Sequence, residues 1–154
     1  MNVVILRVAK AKCKWADAAS TDYLKRIGRQ LPVKEHIIRP AKAHLPISER
    51  RHQETEAILA SLKSGDRLVV LDERGETPST ERLQEWVEDS INEGCKRLIF
   101  AIGGPFGHAQ AIRSSAWKSM ALSKMVLNHE LARVVLAEQL YRVYTLMVGG
   151  DYHH

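Results

Sequence analysis

Two apolar runs constrain this chain more than anything else in it. Arg67–Asp72 reads RLVVLD, and Lys96–Gly104 reads KRLIFAIGG. Neither alternates apolar and polar residues, so neither suits a sheet with one wet face. Runs of this kind are buried on both faces, as strands of a parallel sheet covered by helices are. Parallel neighbours need crossovers, and the remaining sequence supplies them.

Val3–Val8 (VVILRV) reads as a first strand. Lys14–Ile27 reads as a helix with Trp15, Ala19, Tyr23 and Ile27 in one stripe and Gly28 as its stop. Val33–Arg39, bounded by Pro32 and Pro40, is a second strand. Ser48 starts and caps a helix that runs to Leu62. After RLVVLD, ERGETPS is a loop. Ser79 or Thr80 then caps a helix with Leu83, Val87 and Ile91 at four-residue spacing, ended by Asn92-Glu93-Gly94. His108–Ser115 is a short helix, and Trp117–Leu127 mixes strand and loop character. Glu130–Val148 is a long helix, apolar on most faces. Such a helix is covered on more than one side, and a second copy of the chain is the simplest cover. The alternation predicts an α/β fold with a mostly parallel sheet, in one domain over residues 1–154.

Other function classes are narrowed by what the sequence contains. No apolar run reaches the length of a membrane span, and the apolar-then-basic start has the wrong order for a secretory signal, so a cytoplasmic location is expected. Cys13 and Cys95 do not have metal-ligand spacing and read as reduced structural residues. The net charge of +5 permits attraction to nucleic acid, and the positive charge is densest in the first third, including Lys10, Lys12, Arg39, Lys42, Arg50 and Arg51.

In parallel sheets, ligands bind beyond the carboxyl ends of the strands. The loops after Asp72 and after Ile102 are therefore the places to look. Gly103-Gly104-Pro105-Phe106-Gly107 is not a phosphate loop, because His108-Ala109 stands where Lys-Ser/Thr is needed. It is a poor dinucleotide fingerprint, because the spacing differs and no carboxylate follows before Glu130. A tight strand-to-helix turn and a backbone surface for a ligand remain as readings.

The ordered set of motifs goes further. LDERG (Leu71–Gly75), IGGPFG (Ile102–Gly107), ALSKMVLNHELARVVLAEQLYRVY (Ala121–Tyr144) and the terminal Tyr152-His153-His154 follow an opening ILRVAKAK. Together they resemble the ribosomal RNA pseudouridine methyltransferases that act on the large ribosomal subunit, small members of the SPOUT class. The resemblance runs nearly end to end. It implies an α/β fold with a deep trefoil knot near the C-terminus, a homodimer, and S-adenosylmethionine as methyl donor without a metal. The substrate implied is a pseudouridine of 23S ribosomal RNA, methylated at ring nitrogen 3, on the assembled ribosome.

Carried over by motif, cofactor contacts fall at Leu71, Gly103, Leu122, Ser123, Lys124, Met125, Val126 and Leu127, and catalytic candidates at His129, Arg142, Tyr152 and His153. Each has a plainer reading. Leu122, Met125 and Leu127 suit core packing. Arg142 stands four residues after Glu138, where a helix-surface ion pair forms. His129 suits a helix start, and Tyr152 and His153 an unordered terminus. Asn128 stands where the family has proline, Phe106 where a polar residue is expected, and His154 where a basic residue is expected. The rival readings are a SPOUT methyltransferase for another RNA nucleoside and a non-catalytic ribosome- or RNA-binding protein of the same fold.

Overall fold

The computed structural model describes residues 1–150 and Tyr152. Strands and helices alternate: β1 Asn2–Val8, α1 Lys14–Arg26, β2 Val33–Ile38, α2 Ile47–Ala60, β3 Asp66–Glu76, α3 Thr80–Asn92, β4 Arg97–Ile102, α4 Ala111–Ser115, β5 Lys118–Met120 and α5 His129–Met147. The five strands form one sheet in the order β2-β1-β4-β3-β5, with every pairing parallel. The chain thus has the α/β fold with a parallel sheet that the two apolar runs predict.

The continuous apolar runs follow from burial on both faces. Side chains alternate across the sheet. Val3, Ile5, Leu98 and Phe100 pack with Leu83 and Trp86 of α3 and with Leu136, Leu140 and Val143 of α5. Val4, Leu6, Ile99 and Ala101 face the other way, onto Ile58 of α2 and Ile112 of α4. Leu98, Ile99, Phe100 and Ala101 of central β4 are all fully buried.

Four local expectations are corrected. ERGETPS is not all loop: β3 continues through Glu73-Arg74-Gly75-Glu76, with a register irregularity before Glu76 pairs with Met120 of β5. A Cβ on Gly75 would lie 2.5 Å from the Met120 nitrogen, so a side chain is excluded at this close approach. Ser48 does not cap α2; the cap position is Pro46, and Ser48 lies inside the first turn. The Trp15–Ile27 stripe is not the inner face of α1. Ala16 and Ser20 are buried and Trp15 is exposed, because small residues let α1 approach α5 closely. On α3, Trp86 and Ser90 share the buried face with Leu83 and Val87, while Ile91 turns outward.

The helix ends are held as their chemistry requires. Ser79 accepts a hydrogen bond from the Arg82 amide at the start of α3, and Asn128 accepts one from the Leu131 amide at the start of α5. Asn128 therefore does the work of a helix cap where the family pattern has proline. Cys13 and Cys95 are free. Among the described residues, no helix is long and apolar enough to cross a membrane.

Candidate functional site

Because all five strands run the same way, the segments that leave their carboxyl ends gather along one edge of the sheet. There the β3 extension, the glycine loop after β4 and the segment after β5 enclose a cavity of about 680 Å³. That volume suits a nucleoside-sized ligand. Leu71, Ile102, Gly103, Met120, Leu122 and Leu127 line it, with the first turn of α5 as a further wall through His129 and Ala132.

The glycine loop is a tight fold. Gly104 accepts a hydrogen bond from the Gly107 amide at 3.0 Å, and the two glycines form a β-bridge with Pro105 and Phe106 at the corners. Gly107 has φ +70°, which glycine adopts without strain. A Cβ on Gly103 would stand 3.0 Å from the Gly107 carbonyl carbon and 3.2 Å from the His108 ring, so a side chain there would push the loop back by a few tenths of an ångström. Gly104 is bare for a different reason: a Cβ there would press on the carboxylate of buried Glu54, whose Oε1 accepts from the Ala41 amide.

The cavity floor is charged. Asp72 accepts hydrogen bonds from the Arg74 amide and from the Arg113 guanidinium, whose Nε stands at 3.0 Å. Burial alone would raise the Asp72 carboxyl, but these donors outweigh it and hold it below the ordinary range. His108 lies beneath the loop, within 3.3 Å of the Ala101 carbonyl, and burial pushes its imidazole below its ordinary value. His108 and Arg113 are not singled out by any motif, and Asp72 stands in LDERG without an assigned role. The signal that could have found them is their position one loop beyond a buried strand.

Of the residues carried over by motif, Leu71, Gly103, Leu122, Ser123, Met125, Val126, Leu127 and His129 all line the cavity. Lys124 is exposed and is not among the lining residues. The Ser123 hydroxyl accepts from the Met125 amide at 2.9 Å and so shapes its own turn. Met125 and Val126 are 75% and 78% exposed, a large apolar surface at the mouth. Taken as plain core residues, these two would be out of place.

Arg142 and Tyr152 are not brought to this cavity. Arg142 lies about 20 Å along α5 from His129, at a rise of 1.5 Å per residue. It forms the ion pair with Glu138 that the spacing allows, donates to the Tyr152 carbonyl at 3.0 Å, and stacks on the Tyr152 ring at 4.9 Å. Tyr152 also meets the Tyr141 ring at 4.8 Å, and its hydrogen bond is the largest influence holding the Tyr23 phenol above its ordinary value. His153 lies outside the described residues, as do Asp151 and His154.

The final helix carries a second arginine with a different role. Arg133 is buried in it and binds Glu35 of β2 and Asp17 of α1, which makes it a structural tie. Among the described residues no cluster of side chains has the composition of a metal site.

Comparison with known proteins agrees with this geometry. The family model described as "Predicted SPOUT methyltransferase" matches residues 1–153. A protein of Geobacter sp. (strain M21) named "Ribosomal RNA large subunit methyltransferase H" is 37% identical over 154 residues, covering 100% of this chain and 99% of that protein. Proteins of the same name from Maridesulfovibrio salexigens and Flavobacterium johnsoniae are 40% and 34% identical, over 96% and 100% of this chain. The chain belongs to the SPOUT methyltransferase family.

Proposed function

We propose that this protein transfers a methyl group from S-adenosylmethionine to ring nitrogen 3 of a pseudouridine in 23S ribosomal RNA on the assembled ribosome. It would act in the cytoplasm as a homodimer of single-domain subunits, residues 1–154, each with a deep trefoil knot near the C-terminus. The observation that carries this reading is the cavity at the carboxyl edge, lined by Leu71, Gly103, Leu122, Ser123 and residues 125–127 of a chain whose full-length relatives are named large-subunit ribosomal RNA methyltransferases.

The residues present fit the donor. Leu71, Leu122 and Leu127 offer an apolar slot for a purine. The main chain at Gly103 borders the cavity and offers polar groups to a ribose or amino-acid moiety. When bound, S-adenosylmethionine supplies a methyl group on a sulfonium, which is displaced in line as a neutral thioether. The protein must then position the acceptor nitrogen and help its proton leave. His129, on the cavity wall, is placed to accept or relay that proton. Arg142 would stabilise negative charge developing on the base, with Tyr152 and His153 completing the pocket.

Within one subunit Arg142 and Tyr152 stand far from the cavity, which is the ground for assigning them to the partner's site. The dimer has further support in the exposed Trp15 and in the Tyr23–Tyr141–Tyr152 aromatic cluster across α1 and α5.

Calorimetry tests the donor site: a saturable heat with S-adenosylmethionine is expected, and no binding at millimolar ligand would sink the enzyme reading. Mixing His129→Ala subunits with Arg142→Ala subunits tests the shared site, because one composite site of the mixed dimer then has an intact cavity wall and an intact partner arginine. Each parent is expected to be inactive and the mixture to regain activity. A mixture no more active than its parents rules the shared arrangement out.

A further inference from the structure

We infer that Phe106 and Arg50 form a stacking platform at the cavity mouth for a nucleobase of the RNA beside the one to be methylated, and that Arg51 meets the adjoining phosphate. The inference rests on the proposed RNA substrate and adds the residues that hold it.

Phe106 occupies a corner of the Gly104–Gly107 turn, is 39% exposed, and borders the cavity. Aromatic residues at an exposed corner usually lie flat on something. Over the Phe106 ring lies the Arg50 guanidinium, 4.8 Å from the centroid. Arg50 Nε is buried from solvent without a hydrogen-bond partner among the described residues. Its neighbour Arg51 lines the same mouth. Neither arginine has a carboxylate partner among the described residues.

The opposite edge of the sheet differs: there Arg67 is paired with Glu93 and Arg97 with Asp66. At the cavity end Arg74 and Arg113 share Asp72, which leaves Arg50 and Arg51 as the guanidinium groups there without a carboxylate among the described residues. An unpaired arginine pair beside an exposed ring matches a chain that carries both π-faces and phosphates. It is a poor host for a sulfonium, which it would repel, so the platform suits the RNA rather than the methyl donor.

The test uses the full-length protein with 70S ribosomes and S-adenosylmethionine as separate ligands. Phe106→Leu keeps an apolar contact for Arg50 but removes the π-face, and Phe106→Trp restores it. Phe106→Leu is expected to weaken ribosome binding and raise KM for ribosomes about tenfold. The calorimetric Kd for S-adenosylmethionine and the thermal unfolding midpoint should be unchanged, and Phe106→Trp should bind as the parent does. Arg51→Ala should weaken ribosome binding and flatten its salt dependence, whereas Lys63→Ala, at the far edge, should not.

If Phe106→Leu weakens S-adenosylmethionine binding and leaves ribosome binding intact, the platform belongs to the donor and the inference fails. Unchanged binding of both ligands also overturns it, while leaving the proposed function standing. A parent protein that neither binds nor methylates ribosomes would overturn both. A parent that binds ribosomes without turnover still tests the platform through the binding ratio.

Discussion

Replacing Arg133 by methionine should be far more damaging than replacing the carboxylate it reaches on α1. Arg133 Nε and Nη2 donate to the two oxygens of Glu35 at 2.7 and 2.6 Å, and Nη1 donates to Asp17 at 2.8 Å. The arginine side chain is 2% exposed, Glu35 is 20% exposed and Asp17 is 54% exposed. Breaking a buried, bidentate pair leaves a carboxylate without its partner and costs about 3–5 kcal/mol. Arg7, 3.6 Å from Glu35, remains as partial compensation, so about 3 kcal/mol is expected for Arg133→Met. Asp17 is mostly in water, so Asp17→Asn should cost less than about 1 kcal/mol.

The double variant Arg133→Met/Glu35→Leu removes the stranded charge and should recover part of the loss. Urea unfolding at one fixed protomer concentration measures all three. The reasoning is refuted if Asp17→Asn costs as much as Arg133→Met, or if the double variant is less stable than Arg133→Met alone. Because α5 also carries His129 and Ala132 into the cavity wall, Arg133→Met should weaken S-adenosylmethionine binding as well.

Three further outcomes follow from the loops. Burial holds the His108 imidazole below its ordinary value, so on acidification the unfolded chain takes up a proton there before the folded one does. Stability should therefore fall as pH drops below about 6.5, and His108→Gln should lose that part of the pH dependence in unfolding curves. Asp66 and Asp72, both held low against the effect of burial by hydrogen bonds from arginines and the main chain, contribute stability above about pH 4. That contribution should disappear as pH falls through their folded values. Gly75→Ala would drive a methyl into the β5 backbone at 2.5 Å. It should cost about 3 kcal/mol in urea unfolding and weaken S-adenosylmethionine binding, since β5 leads into the cavity segment. Full stability in this variant would show that β3 and β5 do not touch there.

The sheet was legible because burial on two faces writes itself as uninterrupted apolar residues, as at Leu98–Ile102. The place of the cavity was legible because the loops after Asp72 and Ile102 leave the carboxyl ends of buried strands, whereas residues 122–127 were reached only through the family motifs. The β3 extension was not legible, since Glu73-Arg74-Gly75-Glu76 carries no apolar pattern; main-chain pairing and a bare glycine hold it. The inner face of α1 was misread because large side chains mark a stripe more loudly than Ala16 and Ser20, although close packing on α5 selects the small ones. Arg133 passed as part of a motif, because nothing local reveals carboxylates that fold in from β2 and α1. His108 stayed silent, and Asp72 stood in a motif without a role, for the same reason: their partners, Ala101 and Arg113, are made near by the turn of the loop and by α4.

Methyl transfer itself gives the most direct test. The purified protein is incubated with S-adenosylmethionine and either assembled ribosomes or naked 23S RNA from cells lacking the enzyme, and the nucleosides are then resolved by mass spectrometry. The account predicts one new methylated pseudouridine, carrying its methyl on nitrogen 3, formed on ribosomes in preference to naked RNA. A methyl group on another nucleoside, or none on either acceptor, would contradict it.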